Sequence, residues 1–310
     1  MAVPQGTSTG TVAISNLVQA AYDQYVRMAL RSIPLMRSIA DVKPVEQAMP
    51  GSSVVFSIYS DLAAATGTLV ETSDINSIAL GNPTNVTVTL QEYGNAVTTT
   101  KKLNLTSFND VDAALADIIA YNAADSLDQI VAGVLTGGSN VIYASSATST
   151  NTIAAGMTIT TADIREAVVQ LRTNKAVPRI GELYAAYLHP RQSADLRAET
   201  GTGGFQELSK YVDRTPFVAG AVGVLEGAFV VETPRVPFAP NTPGNVNVYK
   251  AVVAGREALA EAKAQDISTI IGPEIDALRR FRTIGWYFFG GWSLLRQAAI
   301  YRIESASSIN

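Results

Sequence analysis

The sequence predicts an α+β chain: an N-terminal arm and an extended β-hairpin, then a spine helix, a central α/β region and long C-terminal return strands. Three observations predict it. Apolar residues alternate with period two on both sides of a polar stretch at residues 61–84. A helical pattern runs through residues 107–136, and helix and strand patterns alternate from residue 161 onward. A chain of 310 residues is long enough for about two domains of ~150 residues, or one body with long insertions.

Residues 1–50 read as the arm. Residues 1–11 are rich in Gly, Ser and Thr; then Leu17, Ala21, Tyr25, Ala29 and Ile33 recur every fourth residue, along one helical face, until Pro34 ends the helix. Leu35, Met36 and Ile39 follow before the breaks at Lys43-Pro44 and Met49-Pro50-Gly51. This segment has too little apolar bulk for a core of its own and must lie on something else.

Residues 51–106 read as a ribbon. Val54, Phe56 and Ile58, and later Val86, Val88 and Leu90, alternate with their neighbours, while residues 61–84 between them carry few large apolar side chains. So long a connection is functional or disordered. Two antiparallel strands with a polar, mobile tip are expected, with Lys101 and Lys102 on the returning strand. A lone two-stranded ribbon is marginal in water, so it should rest on a neighbouring surface; a hairpin folded back on its own domain is the alternative.

Residues 107–160 hold the spine helix. Ser107 or Asn109 caps it, Asp110 and Asp112 suit its N-terminal dipole, and Val111, Leu115, Ile118, Asn122, Leu127, Ile130 and Val134 approximate one stripe before Gly137-Gly138. Its length should be roughly 40 Å. In residues 161–244, Thr160 to Asp163 form a capping signature, and Ile164, Val168 and Leu171 a buried face. A buried strand over residues 183–188 leads to His189-Pro190, which opens a short helix with proline at its tolerated first position. Gly201-Thr202-Gly203-Gly204 is a loop, and Phe229-Val230-Val231 another strand. Residues 245–310 read as one long strand over residues 245–263 and two more over residues 280–291 and 297–304. Trp286, Tyr287, Phe288, Phe289 and Trp292 build this end into the core.

Composition excludes several functions. With 27 acidic and 23 basic residues the net charge is -4, which is not the footprint of a dedicated nucleic-acid binder. The absence of cysteine excludes disulfides, thiolate zinc sites and cysteine nucleophiles. A single histidine, His189, excludes a two-histidine metal site. Charged residues are 16% of the chain, against roughly 25% in ordinary soluble proteins. A surface largely covered by other subunits explains this, because interface centres are depleted of charge; a merely Thr/Ala-rich domain is the other explanation. No apolar run is long enough to span a membrane and residues 1–10 lack a secretory pattern, so a cytosolic chain is expected.

Motifs that carry chemistry are scarce. Gly201-Thr202-Gly203-Gly204 lacks the Lys-Ser/Thr of a phosphate loop, and Gly220, Gly223 and Gly227 have the wrong spacing for a dinucleotide site. His189 near Ser193 and Asp195 reads as a helix cap rather than a catalytic group. Arg279-Arg280-Phe281-Arg282 follows Glu274 and Asp276, which favours a salt-bridged strand over phosphate contacts. Lys101 and Lys102 either bind a neighbour's carboxylates or protect an edge strand as solvated charges. No catalytic residue, cofactor or metal is expected, and no enzyme.

The order of these parts resembles the major capsid (coat) proteins of tailed double-stranded DNA bacteriophages, whose segments are the N-arm, E-loop, P-domain and A-domain. Tyr187-Leu188-His189-Pro190 with Asp195-Leu196 carries the local likeness, as does the run from Gly220-Ala221-Val222-Gly223 to Val230-Val231-Glu232-Thr233. The closing strands from Ile284-Gly285-Trp286 to Tyr301-Arg302-Ile303 carry it further. The resemblance implies a virion subunit, assembled in the host cytoplasm through pentamers and hexamers into an icosahedral shell. That shell would enclose double-stranded DNA without reading its sequence. The implied partners are copies of the chain, a portal, a decoration protein and a separate scaffolding protein, or no scaffold at all, since the chain has no room for an attached scaffolding segment. Intersubunit contacts are expected at Asp61, Glu71 and Asp74 in the tip and at Lys101 and Lys102. Some relatives join an E-loop lysine to a neighbour's asparagine; residues 61–84 contain no lysine, so no cross-link is expected. Two rivals stay open: a nanocompartment shell of the same fold, and an α/β ligand-binding protein or enzyme.

Overall fold

A computed structural model describes residues 35–44, 52–59, 61–69, 71–72, 74, 77–106, 111–200, 223–241, 244–274 and 277–309. The expected arm helix, the caps Ser107 and Asn109, the Gly201 to Gly204 loop and Gly220 lie outside these residues. The strands are β1 (Ala40–Pro44), β2 (Ser53–Ile58), β3 (Thr84–Thr89), β4 (Gln91–Thr100), β5 (Val141–Tyr143), β6 (Tyr184–Leu188), β7 (Gly223–Leu225), β8 (Ala228–Glu232), β9 (Phe238–Asn241), β10 (Val246–Ala254), β11 (Leu259–Glu274), β12 (Phe281–Leu294) and β13 (Ile300–Ser305). The helices are α1 (Lys101–Thr106), α2 (Val111–Leu135), α3 (Thr161–Thr173) and α4 (Pro190–Ala198). The chain divides into two compact units, the smaller including Gly94–Ala124 and Ile267–Tyr287 and the larger Pro34–Tyr93, Asp125–Asp266 and Phe288–Asn310.

A seven-stranded sheet in the larger unit has the order β5-β13-β10-β6-β8-β7, with β9 paired to β10. All five residues of β6 are buried, as suits a central strand running parallel to β8 on one side and antiparallel to β10 on the other. α3 covers β13, β10 and β5 with Ile164, Val168 and Leu171, as its pattern predicts. Its start is the expected capping box: Thr160 N donates to Asp163 Oδ2 at 2.8 Å and Asp163 N to Thr160 Oγ1 at 3.4 Å.

The strand expected over residues 245–263 is in fact two. β10 joins the seven-stranded sheet and β11 a four-stranded sheet of order β1-β11-β12-β4. The chain turns between them, where Glu257 adopts φ 57°. Gly255 permits the turn: a Cβ there would stand 2.7 Å from Val177 O, the carbonyl that accepts Arg256 N. Alternating valines before the turn and Leu259 after it read as one strand because period two is blind to a change of sheet.

The stripe of α2 is also displaced from its expected register. Ile119, Ala123, Leu127, Val131 and Leu135 are buried, whereas Ile118 is 42% exposed. Adjacent isoleucines and many alanines make several faces apolar, so packing and not periodicity chooses between them. Asn122, assigned to the apolar stripe, instead accepts the Trp286 indole N–H at 2.9 Å within the smaller unit.

Candidate assembly surfaces

β2 and β3 pair from Ser53↔Thr89 to Ile58↔Thr84, and the root of this ribbon is fixed to its own chain. Val54, Val88 and Leu90 are buried with Ala260 and Ala262, and Phe56, Phe289 and Leu295 pack beside them. Gly291 lets the Thr89 carbonyl lie where a side chain would otherwise stand. The expectation that the ribbon rests on a neighbouring surface is therefore corrected at its root, because three apolar residues on one face supply a local seat. Beyond Ile58 the character changes: apart from half-buried Pro83, every described residue from 61 to 83 is exposed. Leu62, Leu69, Ile78 and Leu80 are among them, and Tyr59 just before them is exposed as well.

Asp61, Glu71 and Asp74 stand exposed in the tip. Lys101 and Lys102 are not on the returning strand of the ribbon, as the alternation suggests, but open α1 in the smaller unit. The chain leaves the ribbon after Leu90, and β4 pairs with β12. Thr100 Oγ1 then accepts Leu103 N at 3.2 Å, starting a helical turn where the sequence reads as strand.

A second feature carries no sequence motif. Met36–Ile39 form a 3-10 turn, and the Asp128 carboxylate on α2 accepts Leu35 N at 3.4 Å and Arg37 N at 3.0 Å. The Arg37 side chain is held by Glu261 of β11 in a bidentate pair of 3.1 and 2.5 Å and lies over the Phe288 ring at 5.2 Å. Arg235 pairs with Asp125 and stands 3.9 Å from Asp128. Burial raises the Asp128 pKa, opposed by these backbone donors and by Arg235. The clasp fixes residues 35–37 to α2 and β11. Nothing local in the sequence singles it out, because Asp128 is one of four aspartates on α2.

His189 is the N-cap of α4. Ser193 Oγ donates to Glu232 at 2.7 Å, and Asp195 accepts Ser308 N at 3.1 Å. These three residues make separate structural bonds and form no nucleophile-base pair. Arg280 lies over Phe281 at 5.4 Å, while Asp276, its expected acidic neighbour, lies outside the described residues. Among the described residues no group of three or more acidic or histidine side chains is placed to hold a metal ion.

A family profile described as "Phage capsid protein" matches residues 10–308. The chain belongs to the phage capsid protein family. As a capsid protein it is a structural subunit of the virion shell, and its fold agrees with the expected capsid architecture. The capsid structure of cyanophage P-SCSP1u superposes with TM-score 0.74 at 16% identity, covering 99% of this chain and 97% of that one. The capsid of Ralstonia phage GP4 gives 0.74 at 16% identity over 92% and 94%. Cyanophage Pam1 gives 0.72 at 16% identity over the whole of both chains. At such identities the likeness is one of fold. No curated protein matches the sequence.

Proposed function

We propose that this capsid protein builds a closed icosahedral shell from pentamers and hexamers of itself, and that the ribbon tip crosses onto an adjacent copy. The observation that carries this reading is the contrast within one hairpin: its root is seated on its own body, while Leu62, Leu69, Ile78 and Leu80 in the tip are exposed. Isolated apolar side chains on a surface need no explanation, but a projecting ribbon lined with them fits an interaction site. In a closed symmetric assembly each such contact recurs in every subunit, so a modest contact suffices. Asp61, Glu71 and Asp74, and Lys101 and Lys102, are the charged residues we assign to subunit contacts. Residues 1–50 serve as the arm, 51–106 as the ribbon segment, 107–160 and 245–310 as the peripheral domain and 161–244 as the central one.

The shell encloses double-stranded DNA without sequence-specific recognition, consistent with the net charge of -4, and assembles in the host cytoplasm. A separate scaffolding protein, a portal and a decoration protein are the remaining partners. Expression with a neighbouring scaffolding gene, followed by sedimentation velocity and negative-stain electron microscopy, tests this. Closed particles or capsomer rings are expected; a well-behaved monomer or dimer under all conditions overturns it.

A further inference from the structure

The chain has one histidine, and its structural bond depends on its charge. His189 Nδ1 accepts Arg191 N at 3.2 Å, and the Gln192 side chain returns to His189 N at 3.3 Å. Accepting through Nδ1 requires the neutral ring with its proton on Nε2, because imidazolium is a donor at both nitrogens. Protonation thus removes the cap and places a positive charge at the positive end of the α4 dipole.

The groups around the ring reinforce this. Arg191 on the same helix adds positive charge and Glu232 of β8 opposes it, but Glu232 already accepts from Ser193 and lies 4.0 Å from Arg197. From β10 the Tyr249 ring packs 4.6 Å away, its hydroxyl taking a hydrogen bond from Arg191 at 2.7 Å. From β9 Phe238 presents an edge at 6.4 Å. Burial, and then Arg191, hold the imidazole pKa below its ordinary value.

What α4 holds gives the cap its reach. Gln192 Nε2 donates to Ser305 Oγ at 2.8 Å, the Arg191 carbonyl accepts from Ser307 Oγ at 3.4 Å, and Asp195 accepts Ser308 N. One short helix therefore ties down the last described residues of the chain. We propose that His189 is an acid-sensitive latch: when protonated it stops capping α4, and the hold of that helix on residues 305–308 loosens. A histidine that is harder to protonate folded than unfolded contributes stability that is complete above about pH 6.5 and declines as the pH falls below that value.

The test compares the full chain with His189→Asn, since asparagine is a good N-cap that does not titrate. Between pH 7.5 and 5.0 the melting temperature of the original chain should fall by about 2–4 °C more than that of the variant. Amide exchange over residues 190–198 and 305–308, corrected for intrinsic rates, should rise on acidification in the original chain alone. Exchange of the imidazole C2 hydrogen, read by mass spectrometry, should place the His189 pKa below about 6.5. Parallel pH curves for the two chains, or a His189 pKa at or above that value, overturn the latch. If His189→Asn does not fold, the original chain still decides: amide exchange in α4 must rise with the fraction of imidazolium, and exchange that ignores that titration overturns the proposal.

Discussion

Val54 and Val88 at the root of the ribbon are 7% and 1% exposed, whereas Leu69 and Ile78 in its tip are 74% and 73% exposed. All four are aliphatic, and the two pairs share one hairpin, so the difference lies in what is available to cover them. The root meets Ala260 and Ala262 of its own chain; Leu69 and Ile78 are left uncovered. Fully covering one such side chain contributes ~1.5–3 kcal/mol, which a second copy would supply to the tip. Folding thus accounts for the root of the ribbon, and the proposed association would account for its tip.

The most drastic way to break this contrast is to remove the tip. Replacing residues 62–82 with a short glycine-serine turn should leave the circular dichroism of the body unchanged yet abolish closed particles in electron micrographs. Intact particles would end the crossing-ribbon reading. Next in size is the clasp: Asp128→Ala strips the acceptor from Leu35 N and Arg37 N and leaves Arg235 one carboxylate fewer. It should cost about 3 kcal/mol in chemical denaturation, as removing one member of a buried charged network does. At the root, Gly291→Ala drives a Cβ into the Thr89 carbonyl and should cost about 1–3 kcal/mol, with faster proteolysis of β2 and β3. The helix cap variant Thr160→Ala, outside the ribbon, should cost about 1 kcal/mol and leave assembly intact. Smallest for folding is Ile78→Ser, within about 0.5 kcal/mol, yet particle yield should fall. An unchanged yield would show that the exposure of Ile78 serves no contact.

Sequence patterns revealed the elements governed by local chemistry. The Thr160–Asp163 capping box and the buried β6 followed by His189-Pro190 could be read because caps, proline and period carry their own signals. Patterns failed where long-range packing decides. Ile118 and Ile119 are equivalent to a periodicity count, but only Ile119 is buried. The turn at Gly255 separates two sheets without interrupting the alternation. Lys101 and Lys102 follow a strand of ten residues, and nothing local announces the helix they open. The ribbon itself was legible as two strands around a polar stretch, but its seat on Ala260 and Ala262 was not, since small residues leave no mark in a hydrophobic pattern. The Asp128–Arg37–Glu261 clasp spans 91 residues on one side and 224 on the other, beyond the reach of any motif.

The seat of the ribbon root also sets a clock on biosynthesis. β1 lies parallel to β11, pairing Ala40 with Leu259, and the ribbon root leans on Phe289 and Leu295. Both must wait for residues made roughly 200 positions later, which at ribosomal speeds of 5–20 residues per second is about 10–40 s. Until the last strands leave the ribosome, the ribbon has nowhere to stand. A chain terminated before Ala260 therefore lacks every residue of the seat on which its ribbon root packs.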